Sequence, residues 1–189
     1  MGISVFPEPT ISSSATQKWT QIGAYTSTTQ VSTIDFTSIS QSYRALRLIV
    51  NGLVKQTDGQ IYIRFNSNSG NNYAWNGVWG EGGSYIVPTR IVDQTTFYFP
   101  PNGAGIKSTG YFNLCMDIYN YAEVNAAKNI TWKATGNDTN NFVYYEDMIA
   151  NWNTGASTPA ITSINFLTST GNLNVIGSNS NGIFLYGGN

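Results

Sequence analysis

The sequence predicts an all-β fold, a two-sheet antiparallel β-sandwich of jelly-roll-like form with an extended N-terminal arm. Three observations predict it. Apolar and polar residues alternate with a period of two, the pattern of strands with one buried and one wet face. Turn-forming residues interrupt that alternation about every eight to twelve residues, the spacing of short strands joined by turns. Only 10% of the 189 residues are charged, yet 41% are hydrophobic and 14% aromatic. Such a chain has enough apolar surface to fold. Its length suits one domain with a sizeable core, or one domain and an arm.

Taken in order, residues 1–15 read as the arm and residues 16–189 as the sandwich. The arm lacks a core-forming pattern, carries Pro7 and Pro9, and ends in Ser12-Ser13-Ser14, a hinge-like run. Its apolar residues Ile3, Val5 and Phe6, with Pro7 and Pro9, are the expected docking residues, because burial against a neighbouring subunit would remove them from water. Strands follow at about 19–27, 31–36 and 46–50, the last with Leu46, Leu48 and Val50 opposite in face to Arg47, Ile49 and Asn51. The clearest strand is 60–65, where Ile61, Ile63 and Phe65 alternate with Gln60, Tyr62 and Arg64. Further strands are expected at 73–79, 85–92, 96–99, 112–119, 129–135, 142–152, 163–167 and 183–186. The last is apolar throughout, as a strand covered on both faces or lying at a subunit contact would be. Turns are signalled by Thr57-Asp58-Gly59, Asn66 to Gly70, Gly82-Gly83, Pro100 to Gly103, Thr170-Gly171-Asn172 and Ser180-Asn181-Gly182. No amphipathic helix is evident; residues 39–44 and 120–127 have room for one short turn each.

The charge pattern excludes several classes. Net charge is −1, and the nine Lys and Arg are scattered with no basic run. No nucleic-acid footprint or anionic-membrane docking is expected. No stretch approaches the ~18 apolar residues of a spanning helix, and the N-terminus lacks the pattern of a secretory signal. Cys115 is the single cysteine, so no internal disulfide forms, and it is expected to be a packed or half-buried strand residue. There is no histidine, which removes Ser-His-Asp triads, Cys-His pairs and His-ligated metals. No phosphate-binding loop or dinucleotide fingerprint is present. No cofactor, metal or enzymatic activity is expected.

Two carboxylates would suffice for glycoside hydrolysis. Glu81 lies in an aromatic-rich stretch, and Glu146 and Asp147 adjoin Tyr144 and Tyr145. Neighbours on a strand point to opposite faces, so Glu146 and Asp147 do not form such a pair. The oxygen-rich run Asn137 to Asn141 lacks the glycine and terminal glutamate of a calcium loop and reads as a polar turn. Tyr73, Trp75, Trp79 and Tyr85 cluster in sequence, the first three with one strand parity. Facing outward, they would form a stacking platform for a sugar or a protein partner; facing inward, they are core. Tyr144, Tyr145 and Trp152 form a second such cluster, and Trp19 reads as structural.

A set of motifs in order adds a resemblance. The pieces are Trp19-Thr20-Gln21-Ile22-Gly23, Val31 to Phe36, Tyr43 to Leu48, and Ile63-Arg64-Phe65-Asn66 followed by Gly70, Asn72 and Tyr73. Asp117 to Tyr121, Ile161 to Ile164 and Phe184 to Gly187 complete them. Together they resemble a widespread type of structural protein of tailed-bacteriophage virions, over about residues 19–188 and not over the arm. The resemblance implies a head-decoration, tail or fibre component, made in the host cytoplasm and assembled into the particle. It implies no catalytic residues. The expected partners are major capsid, tail or fibre subunits and further copies of the chain, with a trimer suiting a three-fold site. A host surface glycan is the further partner if the Trp75/Trp79 face is exposed.

Overall fold

The computed structural model describes residues 18–82, 85–101, 103–155, 157–176 and 181–189. Among the described residues there are thirteen strands: β1 Trp19–Tyr25, β2 Ile34–Phe36, β3 Ala45–Lys55, β4 Ile61–Phe65, β5 Tyr73–Glu81, β6 Tyr85–Gln94, β7 Phe97–Phe99, β8 Phe112–Tyr119, β9 Lys128–Asn137, β10 Val143–Trp152, β11 Ile164–Thr168, β12 Leu173–Val175 and β13 Gly182–Gly188. They form two packed sheets. The larger runs β1-β13-β3-β8-β9-β10-β5-β6, with β12 also on β3; the smaller runs β2-β11-β4-β7. All pairings are antiparallel.

Eight of these strands make a frame. Taken along the chain, β1, β2, β3, β4, β7, β8, β11 and β13 cross from one sheet to the other at every step but one, since β4 and β7 are neighbours in the smaller sheet. The hairpins β5–β6 and β9–β10 are insertions into that alternation, and both extend the larger sheet beyond β8. The expected strand faces are the observed ones. β4 buries Ile61, Ile63 and Phe65, and β9 alternates without a break from Lys128 to Gly136.

The core is aromatic where the smaller sheet meets the extension. Phe97 of β7 lies 4.9 Å from the Tyr73 ring, 5.2 Å from Trp132 and 5.6 Å from Trp75. Phe99 lies 5.2 Å from Phe112 and 5.6 Å from Trp132. Edge-on and tilted contacts of this kind add to the hydrophobic gain, by about 0.5–1.5 kcal/mol per pair. On the outer face of the frame, Arg47 bonds Asp117 through two nitrogens at 2.6 and 2.8 Å and lies 4.4 Å above the Trp19 ring. That triad pins β1, β3 and β8, and gives Trp19 its structural role.

Two lysines are spent on loops. Lys55 is buried and donates to the carbonyls of Gln60 and Thr170 and to the Thr168 hydroxyl. Lys128 is buried and donates to the carbonyls of Glu123 and Ala126. Each ties a connection to the end of a strand.

Some expectations change. β12 has three residues between turn-forming runs, too short for an alternation to show. It extends the line of β13 along β3 and forms a bridge with Val31, so the expected strand at 31–36 narrows to Ile34–Phe36. Cys115 is not packed. It lies in a strand but is exposed, on the outer face between half-buried Asn113 and Asp117. The arm, with Ile3, Val5, Phe6, Pro7 and Pro9, lies outside the described residues.

Candidate functional site

Of the two readings of the Tyr73, Trp75 and Trp79 cluster, outward platform or core, Tyr73 and Trp75 take the inward one. Tyr73 is 0% and Trp75 2% exposed, both in the core, and Trp79 packs against it partly buried. The physical reason is parity. β5 pairs β10 and β6, and the smaller sheet covers the face carrying residues 73 and 75, where Tyr98 meets Trp75 at 5.0 Å. Tyr73 and Trp75 are therefore not a stacking platform. Tyr85 opens β6, and its side chain lies outside the described residues. In the second cluster Tyr144 and Trp152 are core and only Tyr145 is exposed.

The motif Ile63 to Asn66 with Gly70, Asn72 and Tyr73 is a loop lock. Asn66 takes φ 52°, and its Oδ1 accepts from the amides of Thr162 and Ser163 at 2.8 and 3.1 Å. Its Nδ2 donates to the Ala160 carbonyl at 2.8 Å. The Tyr73 hydroxyl accepts from the Phe65 amide at 2.9 Å and donates to the Asn68 carbonyl at 3.1 Å. Tyr121, in the second motif, donates to the Ser40 carbonyl and accepts from the Tyr43 amide. These residues hold loops.

The acids separate as expected. Asp147 faces out and pairs with Lys133, while Glu146 is fully buried on the inner face. Glu146 Oε2 accepts from the Trp132 indole at 2.9 Å, and Oε1 has no partner among the described residues. Burial pushes its pKa up to about 8, against the lowering effect of the Trp132 bond. The hydroxyl of Tyr144, two residues along the same face, is buried and unpartnered too. A carboxyl with no exposed surface has no path to a polymer substrate. Asp138, in the expected polar turn, accepts from the amides of Asn140 and Phe142, so its carboxylate caps its own turn.

The outward face of the same extension is the candidate site. Backbone register aligns Thr131, Ile149, Asn76 and Arg90 in one row across β9, β10, β5 and β6. The next row is Asn129, Asn151 and Ala74, with Val92 beside it past a bulge. These residues line a groove of about 460 Å³. β5 supplies Ala74 to its floor, and the long side chains stand on either side of it. Asn76, Arg90, Asn129, Thr131 and Asn151 are all exposed, and none makes a side-chain hydrogen bond or ion pair among the described residues. Ile149 is 57% exposed in their midst. Of the ten large apolar residues that are exposed among the described residues, Ile86, Val87, Val92, Phe142, Val143, Tyr145 and Ile149 lie on the two inserted hairpins. Among the described residues, exposed apolar surface is thus concentrated on the insertions. Comparison with protein-family models, curated proteins and solved structures finds no match for this chain.

Proposed function

We propose that the chain is a structural component of a tailed-phage particle, a jelly-roll domain that decorates the head or forms part of the tail or fibre. The observation that carries the reading is the strand order of the frame. One sheet runs β1-β13-β3-β8 and the facing one β2-β11-β4-β7, with the chain crossing between them at every step except β4 to β7. That order supports reading the frame as two Greek keys folded into a jelly roll, an architecture frequent in capsid domains. The motif resemblance supports the particle assignment, and the motif residues supply loop locks that hold such a frame rigid. A surface rich in Ser, Thr and Asn and poor in charge suits a subunit packed beside neighbours. The proposed anchor is the arm, through Ile3, Val5, Phe6, Pro7 and Pro9, and the proposed assembly is a closed homo-oligomer, a trimer fitting a three-fold site.

The test is mass spectrometry of gradient-purified particles from a culture producing the chain, with and without residues 1–15. The expected result is a fixed copy number per particle that falls at least tenfold when the arm is deleted. Recovery of the intact chain only in the soluble fraction would refute the particle role, and unchanged incorporation of the truncated chain would refute the arm as anchor.

A further inference from the structure

We infer that the outer groove of the β9-β10-β5-β6 extension binds a carboxylate-bearing oligosaccharide, with Arg90 on the carboxylate and the asparagines on ring hydroxyls. The inference does not depend on where a particle carries the chain, because it concerns the isolated domain.

The chemistry of the lining selects the ligand. Side-chain amides both donate and accept, as sugar hydroxyls do. Asn76, Asn129 and Asn151, with the Thr131 hydroxyl, place four such groups on adjacent strands ~4.8 Å apart, all without side-chain partners among the described residues. Ile149 and Val92 offer aliphatic surface between them, against which the C–H face of a sugar ring packs. Arg90 is the one cation of the lining, and its planar fork matches a carboxylate through two parallel bonds. Asp147, the acid of the neighbouring row, is already paired with Lys133, so it leaves Arg90 free for an outside anion.

Other ligand classes fit less well. A nucleic acid needs several cations along its backbone, and this groove has one. A protein anchor needs a buried aromatic or aliphatic pocket, whereas this trough is open, and Asn76, Asn129, Asn151, Thr131 and Arg90 are interleaved with its aliphatic residues. No aromatic ring side chain stacks in it, because Trp75 turns its ring into the core and leaves its backbone at the floor. Affinity per site is therefore weak, and engagement of a surface polymer relies on several copies acting together.

The test uses the full chain with oligogalacturonate and alginate oligomers as acidic probes and cello-oligosaccharides as neutral ones. Binding is read by ligand-observed NMR and on a multivalent array. Arg90→Ala, Asn76→Ala and Asn151→Ala alter exposed side chains, and an unchanged melting temperature verifies that each variant is folded. Asn71→Ala, exposed and away from the groove, is the control. The expected result is binding of an acidic probe, weakened about tenfold or more by Arg90→Ala and severalfold by either asparagine variant, with Asn71→Ala unchanged. The inference is overturned if no acidic probe binds, if binding survives all three groove variants, or if neutral probes bind equally well.

Discussion

At the scale of single residues, the low charge of the chain makes each buried ionisable group conspicuous. Glu146 is the clearest. Its pKa is raised from 4.5 to about 8, so the folded protein keeps the proton through a window in which the unfolded chain has released it. Stability therefore falls as pH rises from about 4.5 towards 8, and the loss by pH 7 is on the order of 3 kcal/mol. Lys55 works in the opposite direction above that window. Desolvation lowers its pKa from 10.5 to about 8, so the unfolded chain binds the extra proton and stability recovers as pH rises from 8 towards 10. With no histidine in the sequence to mask it, the profile should have a minimum near pH 8. Urea titrations from pH 4.5 to 10 check this. Glu146→Gln keeps an acceptor for the Trp132 indole and removes the charge, so it should flatten the slope below pH 8 and leave the Lys55 rise. A slope unchanged in Glu146→Gln would mean that another group controls it. None of this was legible in the sequence beyond the parity of residues 146 and 147, because burial depth depends on which sheet covers which face.

At the scale of elements, the lock made by Asn66 explains why a loop residue carries part of a recognisable motif. Its side chain joins the β4–β5 turn to the segment leading into β11, with two backbone amides accepted and one carbonyl bonded. Asn also tolerates the left-handed backbone at φ 52° better than most residues. Asn66→Ala should destabilise by about 2–4 kcal/mol, since it leaves those groups without partners and strains the backbone. Asn66→Asp keeps the acceptor and loses the donated bond, so its cost should be smaller; denaturant midpoints at pH 7 rank the two. An equal or larger loss in Asn66→Asp would contradict the assignment of the accepted bonds as the stronger part. Strand positions were legible because alternation is a local signal. The direction of β5 was not. Trp75 and Trp79 are large and apolar, but the opposite parity, with Ala74, Asn76, Val78 and Gly80, carries only smaller side chains and no aromatic ring. Weighing that second face points the aromatic rings inward. The groove residues Asn129, Asn151 and Arg90 come together only through register between strands far apart in sequence, which no local pattern carries.

At the scale of the whole molecule, one question is whether the inserted hairpins fold with the frame or as an appendage. Their outer faces carry most of the exposed apolar side chains among the described residues, yet their inner faces supply the aromatic centre. Phe97 of the smaller sheet meets Phe65 and Tyr73 near the β4–β5 turn, and Trp75 and Trp132 on the two hairpins. One contiguous core therefore spans both sheets and both insertions. Removing the Phe97 ring opens a cavity at the point where all of them meet, at a cost of about 3–5 kcal/mol. That is a large share of the roughly 5–15 kcal/mol that holds a domain together. If the core is one cooperative unit, Phe97→Ala lowers the melting temperature by roughly 10 °C in a single step, with tryptophan fluorescence and far-UV circular dichroism tracing the same curve. Trp75 and Trp132 report on the hairpins and the far-UV signal reports on all the strands, so the two probes would diverge if the extension melted first. Divergence would make the hairpins a separate, softer unit. Coincidence would mean that the groove is carried on the same rigid body as the frame, fixing the spacing of its amides before any ligand arrives.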